Sequence, residues 1–169
     1  MLMLIQANHA LLEQAATLMS ELDEMDYVQP MQAFASGSIG QHLRHVLDHY
    51  HALYGHQQGL IDYDHRRRDN PVESSKILAL TEIQRILAML PTLIDQPVRV
   101  RSEISPHAQQ VDEMNSSLKR ELLFVTSHAV HHFALIALLL RLQGIVVPTD
   151  FGVAPATLNH QRQQQPLFS

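Results

Sequence analysis

The stretch from Ser117 to Gly144, SLKRELLFVTSHAVHHFALIALLLRLQG, constrains this chain more than any other. Apolar residues recur through it at helical spacing, and no proline or internal glycine breaks the run, so it predicts one long helix. Within it His128 and His132 stand one turn apart on one face, the spacing by which a helix offers two imidazoles to one ion. On an ideal helix Phe124, Val125, Leu135 and Leu139 fall within about 60° of His128, so both histidines are expected to point into a core. His131 lies on the flank of that stripe and ranks below its neighbours as a ligand. Lys119, Ser127 and Arg141 lie toward the opposite side.

A helix with one greasy face needs other elements to cover it. The 169 residues, 46% hydrophobic against 17% charged, suffice for a single domain spanning residues 1–169 with a sizeable core. Leu4, Ala7, Leu11, Leu12, Ala15, Leu18, Met19 and Leu22 recur at three and four and predict a first helix over residues 2–25. The segment 25–37 loses the period, holds Pro30 and reads as a loop able to line a pocket mouth. Ser38 and Gln41 form an S-x-x-Q capping box that opens a second helix, ending near Gly59. Ile39, Leu43, Val46, Tyr50, Leu53 and Leu60 form its apolar face, with His42, His45 and His49 along one edge.

A charge-dense loop, IDYDHRRRDNP, follows, readable as a solvated, self-paired turn or as a polar wall over a pocket. Asn70-Pro71 or the serines at 74 and 75 start a third helix that breaks near Pro91 to Pro97. Val98, Val100, Ser102 and Ile104 then alternate with charged neighbours as a strand does, and QQVDEM can pair with it across Pro106. Ser116 or Ser117 caps the fourth, histidine-bearing helix, and Gly144 stops it. After Val147 the chain reads as irregular, with disorder expected beyond about residue 158. The expected fold class is therefore all-α, a four-helix bundle with long crossover loops and one short β-hairpin between helices 3 and 4.

Composition narrows the chemistry. With no cysteine, a metal site must use histidine, carboxylate, carbonyl or water, and neither a disulfide nor a cysteine nucleophile is available. The net charge of -5 argues against a nucleic-acid partner, because phosphate contacts need a basic surface. The start MLMLIQ has no basic region before its apolar run, and the run 133–140 falls short of the about 18 residues a membrane span needs. A soluble cytoplasmic protein with no membrane partner is expected.

A lone histidine on an apolar face is usually a hydrogen-bonded core residue. Two imidazoles one turn apart in a greasy stripe are costly unless something accepts their lone pairs, and a divalent metal does so. Two ligands rarely hold an ion against water, so the second helix must add at least one of His42, His45 and His49. Periodicity places His49 nearest the apolar face. Three neutral nitrogens with open positions make a catalytic type of site, whereas closed structural sites prefer four protein ligands.

The blocks SIGQHLRHVLDHY, DYDHRRRD, SHAVHHFALIALLLRLQG and FGVAP together resemble the DinB-like superfamily of bacterial metal-binding four-helix bundles, over nearly the whole chain. The resemblance implies one ligand on the second helix and two, four residues apart, on the last long helix: His45, His128 and His132, with His49 as the alternative that periodicity favours. It also implies a divalent ion, nickel or zinc foremost, and often a homodimer. Some relatives are metal-dependent transferases using low-molecular-weight thiols, some resemble hydrolases, and related domains occur in thiol-histidine biosynthesis. The first functional expectation is thus a metal-dependent enzyme of thiol S-transferase or hydrolase type acting on a small molecule, with any thiol supplied from outside. The alternative is a non-catalytic, stress-related metal or small-molecule binding protein. A third is a structural helical dimer whose histidines are pH-sensitive packing groups.

Overall fold

The computed structural model describes residues 1–30, 37–55, 59–64, 67, 70–107 and 110–164. In chain order these form α1 (Leu2–Glu21), α2 (Glu24–Val28), α3 (Ile39–Tyr54), β1 (Leu60–Asp62), a 3-10 turn (Pro71–Ser74), α4 (Lys76–Met89), a second 3-10 turn (Leu90–Thr92), β2 (Pro97–Glu103), β3 (Val111–Ser117), α5 (Leu118–Leu142) and α6 (Pro155–Gln164). The result is a mostly helical fold carrying a small three-stranded sheet, where an all-α fold with one short hairpin was expected.

The helix starts follow from local chemistry. Ser38 accepts from the Gln41 amide while the Gln41 side chain accepts from the Ser38 amide, so both arms of the capping box are made. Ser75 accepts from Leu78 N–H and Ser117 from Arg120 N–H, each satisfying a donor in a first turn that has no intrahelical partner. At the other end of α5, Gly144 takes φ +79°, the left-handed geometry that ends a helix most cheaply at glycine.

The four longer helices pack in a ring, α1 against α4 and α5, and α3 against α4 and α5. The core between them includes Leu12, Met19, Leu43, Leu47, Ile83, Ile86, Leu122, Phe133 and Leu140. One polar group lies inside this core with its needs met. Asn8 donates to Leu4 O and Thr126 Oγ1 and accepts from Tyr50 O–H, which ties α1, α3 and α5 together where an unpaired amide would be costly.

The expected hairpin exists: β2 and β3 pair antiparallel, Val100 opposite Met114, with the connection running across Pro106. The alternation that revealed it buries Val98 and Val100 and exposes Arg99 and Arg101. Three features depart from expectation. β1 adds a third strand parallel to β2, Leu60 opposite Arg99, so the edge of the charge-dense segment is sheet rather than loop. α2 occupies part of the stretch read as a loop, anchored by buried Tyr27, whose hydroxyl donates to Val72 O. And α6 forms where irregular chain was expected: it buries no residue, so no apolar period marks it. The remainder of the expected terminal disorder, 165–169, lies outside the described residues, as does much of the loop expected over 25–37.

By length and hydropathy α5 could cross a membrane, contrary to the shorter run read from the sequence. In this fold 44% of its most apolar window is buried, and one such helix is weak evidence for a span.

Candidate metal centre

α3 and α5 run antiparallel with their histidines facing. His45 Nε2 lies 3.0 Å from His128 Nε2, and His42 Nδ1 lies 3.0 Å from His132 Nδ1. Spacings of three and four on α3 and of four on α5 put all five rings along one seam. His49 is buried; His42, His45, His128 and His132 are half-buried, so the pair on α5 sits at the rim of the core rather than inside it. His131, ranked low from the sequence, is exposed.

Two overlapping trios can be drawn in this cluster. His45, His49 and His128 each offer a nitrogen, all within 4.8 Å of one another, so the cluster has the donors to hold a metal ion. His45, His128 and His132 have ring centroids 4.9, 4.7 and 4.6 Å apart, close to an equilateral triangle. Distance favours the first trio, whose nitrogens meet and whose centroids are 4.6, 4.9 and 3.9 Å apart, while ring planes also bear on the choice. An imidazole lone pair lies in the ring plane, so two rings serve one ion only when their planes can converge. Within the second trio the planes are inclined by 68°, 68° and 52°. His49 lies nearly flat on His128, at 3.9 Å and 26°, and on Tyr63, at 5.3 Å and 19°, but is inclined by 83° to His45; its Nδ1 donates to His45 O at 2.9 Å, which leaves Nε2 as its ligand nitrogen. Its ring is held as a layer in a stack.

The donor set fits a divalent ion. Adjacent nitrogens on an ion at about 2.1 Å stand about 3.0 Å apart in an octahedral shell and about 3.4 Å apart in a tetrahedral one. The His45–His128 separation falls at the short end of that range.

Sequence reasoning missed the wall beside the cluster. Glu121 is buried and accepts from Tyr63 O–H at 3.0 Å, from Ser116 O–H at 2.5 Å and from Arg120 at 3.0 Å. This holds Tyr63 over His49 and against Phe124, whose centroid is 5.1 Å away. Burial, and then the Glu121 carboxylate, push the Tyr63 phenol above its usual range, so it stays a neutral donor. The available signal was Glu121 itself, a carboxylate in helical register with Val125, His128 and His132.

The charged loop divides between its two readings. Asp64 accepts from Glu103 N–H at 2.6 Å, closing the loop on the sheet. Arg67 reaches Asp48 at 2.7 Å and Glu82 at 2.6 Å, on a different face of α3 from the histidines, where Glu82 also meets His51. Burial raises the Glu82 carboxyl, but hydrogen bonds from His51 and Arg67 outweigh it and leave a net lowering. These groups border a cavity of about 450 Å³ lined by Asp48, His51, Ala52, Gly55, Leu60, Asp62 and Arg67, so this part of the loop is indeed a pocket wall. Arg66, Arg68 and Asp69 lie outside the described residues.

Burial, with the neighbouring His128, His45, His42 and His131, pushes His132 down to about 3. In the unfolded chain it titrates near its ordinary 6.5. Between those values the unfolded chain holds a proton that the folded chain does not, so stability falls as pH drops from about 6.5 toward 3. Urea unfolding of metal-free protein at pH 7 and pH 5 should show the loss. A His132→Asn variant should show a smaller one, and an equal pH slope in both would refute the assignment.

A helical domain that draws imidazoles from two facing helices into one cluster has the donors for an ion at the seam between them. The chain belongs to the DinB family, whose model matches residues 2–164. It is also similar to a protein named FK506-binding protein 5 from Rhizopus delemar, 31% identical over 112 residues. That match covers 62% of this chain and 28% of the relative, so the chain corresponds to well under a third of that protein. No solved structure matches.

Proposed function

We propose that this protein binds one divalent metal ion, nickel or zinc foremost, through His45, His128 and His132, and is a metal-dependent enzyme of thiol-transferase or hydrolase type. The observation that carries the reading is the meeting of inclined imidazoles from α3 and α5, with His45 and His128 nitrogens 3.0 Å apart. When bound, such an ion acidifies a coordinated water or thiol and polarises a coordinated carbonyl. The chain's own part is to hold three neutral nitrogens in place. Tyr63, Phe124 and the stacked His49 supply a partly apolar wall beside them, and no protein thiol competes for the ion. Three protein ligands leave positions for water or substrate, which separates this reading from a closed structural site.

The test is metal content of tag-free protein by mass spectrometry of the ion, joined to activity screening across thiol-transfer and hydrolytic substrates. One ion per chain is expected. A His49→Phe variant, which preserves the stack, should keep that ion; its loss would make His49 a ligand and overturn the chosen trio. Full metal occupancy with no turnover on either substrate class would favour the non-catalytic binding protein.

A homodimer is part of the same proposal. Leu123, Ser127, Ala134 and Leu138 lie within about 60° on the outward side of α5. Leu123 is 54% and Leu138 51% exposed, and a second copy packed α5 to α5 would cover both in an isologous contact. Sedimentation at micromolar concentration should give a dimer for the parent and a monomer for Leu138→Glu; a monomeric parent would remove the dimer from the proposal.

A further inference from the structure

The histidine seam contains one more ring than the proposed ion and the aromatic stack use. His42 stands one turn before His45 on α3 and faces α5. Its Nδ1 is 3.0 Å from His132 Nδ1, and the ring centroids are 5.3 Å apart at 46°. At that separation the two nitrogens share one hydrogen, because two lone pairs would repel and two N–H groups would clash. Which ring gives the hydrogen decides what His132 can do. If His132 Nδ1 donates, its Nε2 keeps a free lone pair; if it accepts, a neutral His132 carries its hydrogen on Nε2 and cannot ligate there.

Resting on the metal reading above, we propose that His42 is a positioning residue: it accepts from His132 N–H through the paired Nδ1 atoms and so fixes both the rotation of the His132 ring and the tautomer that presents Nε2 to the ion. A ligating imidazole generally has its other nitrogen tied to an acceptor, and that acceptor strengthens the ligand and restricts its swing. Carboxylates and backbone carbonyls commonly do this. Here the acceptor is another imidazole, carried by the helix that also carries His45. The i, i+3 spacing of His42 and His45 therefore couples the ligand on α3 to the orientation of a ligand on α5, and the coupling is set by α3's own geometry rather than by a loop. His49 does the corresponding job by contact: its stacked ring fixes the plane of His128.

The experiment titrates cobalt(II) and zinc(II) into the metal-free full chain and into His42→Phe and His42→Gln, reading the dissociation constant, the stoichiometry and the cobalt visible spectrum. The phenyl ring fills the space and cannot accept; the glutamine carbonyl can. His42→Phe should weaken binding by about 10- to 100-fold, the usual effect of removing such a partner, at unchanged stoichiometry and with the band pattern of the parent. His42→Gln should recover most of the loss. Circular dichroism of all three confirms equal helicity. Affinity within twofold of the parent in His42→Phe overturns the inference, as does equal weakening in both variants. A changed band pattern overturns it too, since that would make His42 a ligand. A parent that takes up neither ion removes the metal reading itself and this inference with it, an outcome distinct from a parent that binds while His42 proves indifferent.

Discussion

A His128→Ala protein should take up no divalent ion at concentrations that saturate the parent, yet keep its helices. The imidazole removed supplies the nitrogen 3.0 Å from His45 Nε2, so of the three proposed ligands two, on different helices, are left, too few to compete with water. Affinity should fall by more than the about 100-fold that an outer hydrogen-bond partner is worth. The fold should survive because α5 is held by other residues: Leu122, Val125, Ala129, Phe133, Ile136 and Leu140 are all buried, while His128 is only half-buried at the rim. What disappears is stabilisation by mass action. At ion concentrations 100- to 1,000-fold above the dissociation constant the parent gains about 2.7 to 4.1 kcal/mol, and the variant gains nothing. Thermal melting with and without zinc is the measurement: the parent's midpoint should rise with zinc and the variant's should not. Loss of helicity in the metal-free variant would mean that the histidines organise the core, and the open-site reading would give way to a structural metal.

The disagreement between helical periodicity and family resemblance over the α3 histidines has a physical source. Periodicity favours His49 because it lies nearest the apolar face, and His49 is indeed the buried one, at 7% exposure. Its burial comes from lying flat between Tyr63 and His128, a geometry that occupies the ring face. His45 is more exposed, and it is His45 whose nitrogen meets His128. A helical wheel measures burial and carries no information about where a lone pair points; both His45 and His49 bring a nitrogen within 4.8 Å of that of His128, and the metal content of His49→Phe decides between them.

The same distinction separates the legible parts of the fold from the hidden ones. Ser38 with Gln41, Ser117 and Gly144 could be read directly because caps are made between residues a few positions apart. The β2–β3 pairing could be read because alternation and a short connection are local too. The pairing of β1 with β2 joins Leu60 to Arg99 across the whole of α4, and a three-residue strand has no period to recognise. Tyr63 was hidden for a related reason. Within IDYDHRRRDNP the charges draw attention, while the function of the aromatic ring depends on Glu121, brought to it by the fold.

The first turn of α3, which sets the seam in place, should be the part of the protein least tolerant of added bulk. Gly40 is buried where that turn crosses the 3-10 turn Pro71–Ser74 and the Tyr27 ring. A Cβ built there overlaps the Glu73 carbonyl oxygen and comes within 2.8 Å of Tyr27 Cε1. Neither neighbour yields easily. The carbonyl is backbone, and Tyr27 is fully buried with its hydroxyl committed to Val72 O. Alanine ordinarily favours a helix interior over glycine by about 0.8 to 1 kcal/mol, so propensity alone predicts that Gly40→Ala stabilises α3. Overpacking acts the other way and costs about 1 to 3 kcal/mol, reaching the upper end or beyond when the obstruction is main chain. The clash should win. A net loss of about 2 kcal/mol should lower the melting midpoint by about 4 to 8 °C in a chain of this size. Because α3 would have to shift relative to the 71–74 turn while still carrying His42, His45 and His49, metal affinity should fall with stability, although no ligand has been changed. Thermal melting and zinc titration of Gly40→Ala beside the parent provide the check; a variant as stable as the parent would mean that this crossing relaxes freely and does not hold the histidine helix in register.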